Sequence, residues 1–258
     1  MEASDDARVK GPRVDNETVS DYEFSIAIWR TAFGGDITLS WVNAFKVRLN
    51  TLAIVLIPVC IAIDWAGHAL NQALKLPFFL DSIGTVLGAL LAGPWVGAIS
   101  GLLTNIISSG TTDPIAWAYS IVAFGIGIAA GICAYYGLHR RASGWVVFWI
   151  VIVLVASIMS TPLNIALYKG QSGVWFGDAL YAGMVKSGFP TWLASYLDEL
   201  SGDLPDKLIT VLVALLVYRG LPSRFRSLFA MYRRPSEDEM PPAEQPAPET
   251  TPAGTGTA

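Results

Sequence analysis

The chain has 258 residues, of which 53% are apolar and 15% charged, and its mean hydropathy is +0.48. Its net charge is only −4, with no basic cluster interleaved with aromatics, which excludes a nucleic-acid-binding face and points to a membrane class. The two cysteines, Cys60 and Cys133, fall inside apolar stretches, so neither a disulfide framework nor a CxxC metal site is supported.

Residues 1–20 are polar and of mixed charge, without the compact apolar core or small-residue cleavage site of a secretory signal. Their composition predicts disorder. From 22 to 45, aromatics alternate with polar groups and are interrupted by Gly34-Gly35, which suits an interfacial stretch better than a span. Residues 1–46 are therefore expected to form a cytoplasmic N-terminal segment. The first span is expected over 47–66, where Pro58 should kink the helix without ending it. A loop, 67–77, follows.

Residues 76–110, LPFFLDSIGTVLGALLAGPWVGAISGLLTNIISSG, carry no charge after Asp81. Two short membrane helices fit this stretch, with the break at Gly93-Pro94: proline starts a helix readily and disfavours helical angles in the residue before it. Gly84 and Gly88 on the first helix, then Gly93, Gly97 and Gly101 on the second, recur every four residues and so share a face. Such faces let helix backbones approach closely, either within one chain or against a separate subunit. Further spans are expected over 115–138, 145–168 and 204–218, giving an all-α polytopic bundle of about six transmembrane helices over residues 47–222. The second, third and sixth are near the lower length limit for a span. The long connection 169–203 should contain an amphipathic helix, because Phe189, Leu193, Tyr196, Leu197 and Leu200 recur at helical spacing. Residues 223–258 read as a basic juxtamembrane segment followed by a disordered Pro/Glu/Thr-rich cytoplasmic tail.

Lys46, Arg48, Arg140, Arg141, Arg219, Arg224, Arg226, Arg233 and Arg234 fall on one side of this topology, and Lys75, Lys169, Lys186 and Lys207 on the other. The arginine-rich side is then cytoplasmic, with both termini on it, in a multi-pass protein of the cell membrane. Asp64, Asp81, Asn105, Asp113, Asn164, Asp206 and Lys207 gather in the outer halves of the helices, whereas 49–58, 86–98, 122–137, 146–156 and 208–217 hold no Asp, Glu, Lys, Arg or His. A channel or proton pump carries polar groups across its full depth. The pattern here predicts a cup open to the outside with a sealed floor.

Within that cup, Asp81 and Lys207 are expected to pair, since an isolated charge at depth costs at least about 2.5–3.5 kcal/mol. Asp81-Ser82 also suits a helix N-cap. Asn71, Asp81, Asn105, Asn164, Glu199, Asp203 and Lys207 are the candidate polar contacts to a solute. Trp117, Trp192 and Tyr196 are candidate stacking surfaces for a flat heterocycle, a role in competition with interfacial anchoring. His68 and His139 have no second ligand at metal spacing, and no nucleophile–base pair or Walker motif occurs, so neither an enzyme nor a cofactor or metal site is expected.

Three motifs, Leu80-Asp81-Ser82-Ile83-Gly84-Thr85, Gly93-Pro94-Trp95-x-Gly97 and Gly101-x-x-x-Asn105, resemble the substrate-binding S component of energy-coupling factor (ECF) vitamin transporters. Asp203-Leu204-Pro205-Asp206-Lys207 is similar to the start of the last helix in many of those proteins. The resemblance covers residues 47–222. It implies capture of a small water-soluble vitamin or precursor at the outer face, under loops 67–77, 109–114 and 169–203, and delivery with a transmembrane coupling subunit and two ATPase subunits. Riboflavin, thiamine-related and queuosine-related compounds are the candidate ligands it suggests, and Gly84, Gly88, Gly93, Gly97 and Gly101 become candidates for packing against the partner's helices. One departure is that Ala53 is followed four residues later by Ile57, where the family often has a second alanine; Ala62 and Ala66 have the spacing but lie near the outer end. The alternative class is a multi-helix membrane sensor signalling to a partner chain, since only the low-complexity tail follows Arg234.

Overall fold

A computed structural model describes residues 51–76, 78–140 and 142–229. The expected interfacial stretch within 22–45 and the Pro/Glu/Thr-rich tail from 235 lie outside the described residues. Those described form helices joined by short connections, with no strand among them. The α-helices are α1 (Thr51–Leu74), α2 (Ile83–Ala92), α3 (Pro94–Thr111), α4 (Ser120–Tyr135), α5 (Ala142–Tyr168), α6 (Trp175–Lys186), α7 (Thr191–Gly220) and α8 (Ser223–Leu228). Single 3₁₀ turns, Ala116–Tyr119 and Leu138–Arg140, lead into α4 and lie between α4 and α5.

Three helical stretches are long and apolar enough to cross a membrane: Thr51–Leu74, Ala116–Tyr135 and Ser143–Tyr168. The ten residues of α2 reach only about 15 Å at 1.5 Å per residue, half a hydrocarbon core. Two expected loops are helical instead. Helix α1 runs on through 67–74, and 169–203 is mostly α6 plus the first half of α7. In α7 the expected amphipathic helix and the expected last span are one element of 30 residues with Pro205 inside. Pro58 likewise lies within α1 and Pro162 within α5.

The break at Gly93-Pro94 forms as the dipeptide requires. Gly93 adopts φ 93°, ψ −178°, a conformation nearly closed to other residues, and its N–H closes the end of α2 on the Ala89 carbonyl at 3.0 Å. Pro94 then takes the first position of α3, where no donor is needed. The two helices fold back on one another, α1 lies across both, and α4 packs along α3; α5 and α7 complete the bundle.

The glycine face packs within this chain, the first of the two alternatives that its spacing allows, and not against a partner's helices at these contacts. A Cβ on Gly84 would collide with the Cys60 carbonyl oxygen of α1, and one on Gly101 with Thr85 and the Ala123 carbonyl oxygen. Gly88 meets Cys60, Gly97 meets Ala89 and Thr85, and Gly93 is buried at the turn. Small residues bring helix backbones this close, the device that helices use where lipid gives them no hydrophobic drive to associate.

Charge is sorted between the two ends of the bundle. Every Asp and Glu among the described residues lies towards the end where α1, α3 and α5 finish, together with Lys75, Lys169, Lys186 and Lys207. Arg140, Arg219, Arg224 and Arg226 lie at the opposite end. Between them sits an apolar core that includes Val86, Leu90, Val96, Ile126, Phe148, Ile152, Val211 and Leu215. At the arginine end His139 is buried, edge-on to Tyr218 at 5.2 Å, and Arg219 donates to its carbonyl oxygen at 3.4 Å.

Gly84→Ala should cost at least about 2 kcal/mol, because the obstacle is backbone rather than a movable side chain. Gly110→Ala, which meets nothing within 4 Å, should be neutral or mildly stabilising. Thermal melts of the two variants in detergent should separate by several degrees; equal melting points would mean the α1–α2 contact is not formed. A second expectation concerns pH. Burial, then the Arg140 and Arg219 charges, lower the His139 pKa from 6.5 to about 4. The unfolded chain takes up this proton near 6.5 and the folded one only near 4, so stability is present above that window and is lost as pH falls through it. Between pH 7 and 4.5 the wild type should therefore lose about 2 to 3 kcal/mol more than His139→Gln, measured by denaturation at each pH.

Candidate functional site

Lys207 is buried at 3% exposure in the middle of α7. Its Nζ lies 2.6 Å from Asp206, 3.8 Å from Asp81 and 3.9 Å from Asp203. The expected Asp81–Lys207 pair is thus present, but Asp206 is the tighter partner. Asp206 also turns its other oxygen to the connection before α2, accepting from the Phe79 and Leu80 amides at 2.9 Å each. These two bonds hold Leu80 in a left-handed conformation, φ 52°, which is costly for a residue with a Cβ. Asp203 accepts from Ser157 of α5 at 2.7 Å, so the same cluster ties α7 to α5.

Helix α2 is capped from outside its own sequence. Asp64, fully buried on α1, accepts from the Gly84 amide at 2.6 Å, the Thr85 amide at 2.9 Å and the Thr85 hydroxyl at 2.7 Å. The Asp81-Ser82 cap expected from sequence does not form. Ser82 sits at the N-cap without a side-chain bond to the helix, and the Asp81 carboxylate is left to accept from the Ser82 hydroxyl at 2.8 Å and to face Lys207.

A second polar chain crosses from the 3₁₀ turn before α4 through α5 to α7. The Tyr119 hydroxyl donates to Asn164 Oδ1, and Asn164 Nδ2 donates to Glu199 Oε2 at 2.7 Å. Between this chain and the Lys207 cluster lies a cavity of about 260 Å³. Its polar wall includes Asp81, Asn105, Asn164, Glu199, Asp203 and Lys207; its apolar wall is Val122, Ala123, Ile126 and Ala156. Ser172 and Gly173 lie over one side, where Asp198 takes the Ser172 hydroxyl at 2.6 Å and Asp178 takes the Ser172 and Gly173 amides at 3.1 and 3.2 Å.

Of the ten candidate solute contacts, these six surround one cavity. Asn71, Trp117, Trp192 and Tyr196 do not line it. Trp117 and Trp192 are 64% and 62% exposed, as suits aromatic side chains at an interface rather than walls of a pocket. The aromatics that do line it are Phe79, Tyr119 and Tyr168, joined by Ser160 and by His68 and Asp113. The signal for Ser160, Asn164 and Tyr168 was present as four-residue spacing on a single helix face.

Removing the ammonium strands carboxylates it neutralises. Lys207→Met should destabilise the fold by about 3–5 kcal/mol, the usual cost of breaking a buried pair from one side. Adding Asp206→Asn, which keeps an oxygen for the Phe79 and Leu80 amides, should restore at least about 1 kcal/mol of that loss. Additive costs in the double variant, read from denaturation midpoints, would show that the two groups do not act together.

Compared with protein-family models, curated proteins and solved structures, the chain matches none.

Proposed function

We propose that this protein is a solute-capturing membrane receptor, the substrate-specific S component of an ECF-type importer. It takes a small water-soluble vitamin or precursor from outside the cell and delivers it with a transmembrane coupling subunit and two ATPase subunits. The observation that carries this reading is a cavity confined to one end of the bundle. Six of the candidate solute contacts line it, polar or charged side chains drawn from α3, α5, α7 and the connection before α2, above an apolar core that contains no charge. A capture device needs that asymmetry, whereas a conduction path needs polar groups at every depth.

On this reading α1 to α5 and α7 make six membrane passes, with α2 and α3 forming a short hairpin. The arginine end is cytoplasmic and so are both termini, in keeping with the bias of Arg and Lys in short flanking segments. With the glycine face taken up internally, one apolar surface open to a coupling subunit is the outer face of α1, where Leu52, Ile54, Val55 and Val59 are exposed.

A panel of water-soluble vitamins and their precursors titrated into the purified chain by calorimetry should give one compound that binds. Asn105→Leu or Glu199→Ala should weaken it tenfold or more while the protein stays folded. Side-specific labelling in cells should place Lys186 outside and Arg140 inside. No binding by folded protein, or both residues on one side, would sink the receptor reading.

A further inference from the structure

The hydrogen-bond directions and the charge of the cavity together restrict what it can hold. The cavity wall carries the carboxylates of Asp81, Asp113, Glu199 and Asp203 against the single ammonium of Lys207, and Asp206, which does not line the cavity, already neutralises that ammonium at 2.6 Å. Lys207 therefore has little positive charge left to offer a solute anion. Independently of charge, the neutral groups present acceptors. Asn105, only 7% exposed and on the cavity wall, uses its Nδ2 on the Gly101 carbonyl at 3.3 Å, which commits a donor and leaves its amide oxygen as the group it can offer a solute. Tyr119 has spent its proton on Asn164, and Asn164 has turned an N–H to Glu199, so that chain also ends on a carboxylate. A wall with four carboxylates and one ammonium that is already paired is complemented by a ligand that brings donors.

Resting on the receptor reading above, we propose that the captured solute is a small organic cation rich in N–H donors. Its charged nitrogen lies between Glu199 and Asp203, one helical turn apart on α7, with Asn105 Oδ1 as a further acceptor. Its ring lies on Val122, Ile126 and Ala156. A metal ion is a poor fit to this arrangement, because among the described residues no three His, Cys, Asp or Glu side chains are grouped to hold one. The carboxylates are spread around a cavity of about 260 Å³, a geometry that matches charge delocalised over a planar amidine or a protonated heterocycle.

Three probes of nearly the same shape separate the charge classes: benzamidinium, benzamide and benzoate, titrated into the purified full chain in nanodiscs. Benzamidinium should bind at least tenfold more tightly than benzamide, and benzoate most weakly. Glu199→Gln, which keeps an oxygen for Asn164, should lower benzamidinium affinity tenfold and leave benzamide within about twofold. Should that variant fail to fold, the wild-type ranking decides. Benzamide or benzoate equalling benzamidinium, or benzamidinium binding unchanged in folded Glu199→Gln, overturns the cation inference while leaving a receptor. If none of the three binds and the vitamin panel is also silent, the receptor reading itself fails.

Discussion

Lys207 is almost wholly buried, and an ammonium so placed costs several kcal/mol unless opposite charge and good geometry meet it. That requirement arranges much of the carboxylate end. Asp206 must approach to 2.6 Å, and since it stands next to Lys207 on α7, the helix presents both groups from one turn. The second oxygen of Asp206 then fixes the backbone of Phe79 and Leu80, which sets where α2 begins. Asp203, four residues before Lys207, is drawn into the same cluster and takes Ser157 with it. One buried charge therefore positions α7, α5 and the entry to α2, and the cavity lies among the elements it has brought together. Left-handed Leu80 is a local cost that this network offsets.

Much of the bundle was legible in the chain because its determinants are local. Gly93-Pro94 marks a break by backbone chemistry alone, and the break is where the dipeptide puts it. Pro58 interrupts a strongly apolar run too short to split, so the helix had to pass through it. Pro205 was harder. Preceded by Gly202 and Asp203, it reads as the start of a helix, yet α7 continues through it, and Trp149 of α5 donates to the neighbouring Leu204 carbonyl at 3.1 Å. That support comes from a residue 55 positions away, which no local pattern reveals. The partners of the glycines were also a long-range matter. Four-residue spacing says that a helix will be approached closely, but not by whose backbone, and Cys60 and Ala123 answer that only once α1 and α4 are in place.

The site divides along the same line. Glu199, Asp203 and Lys207 recur every four residues, and Asn164 sits within an apolar helix where its amide must find partners, so their convergence follows from periodicity and the cost of unsatisfied polar groups. The tryptophans were legible only as a type. A large aromatic with a polar edge suits either a ligand wall or a membrane boundary, and exposure of Trp117 and Trp192 goes with the second. Tyr119 was readable as a group at the outer opening of the fourth span, whereas Phe79 carries no such flag in sequence, because what brings it to the cavity is the Asp206 anchor. Asp64 was readable as a polar group at the end of a span, but its role as the cap of another helix depends on Gly84 letting α2 come near enough to reach it.

The separation of charge along the bundle bears on how a receptor of this kind would release what it holds. Beneath the cavity, Phe148, Ile152 and Val211 are fully buried and part of an apolar core, so a charged solute moving downward would exchange the carboxylates and amides of the cavity for a largely apolar interior. Passage through a fixed bundle would cost more than the affinity of any single cavity returns. On the receptor reading, release to the arginine end would require the helices themselves to move or the whole bundle to reorient. The Lys207 cluster then has a second consequence. Charge as well as shape thus joins α7, α5 and the α2 entry, and the close glycine contacts join α2 to α1 and α3 to α4.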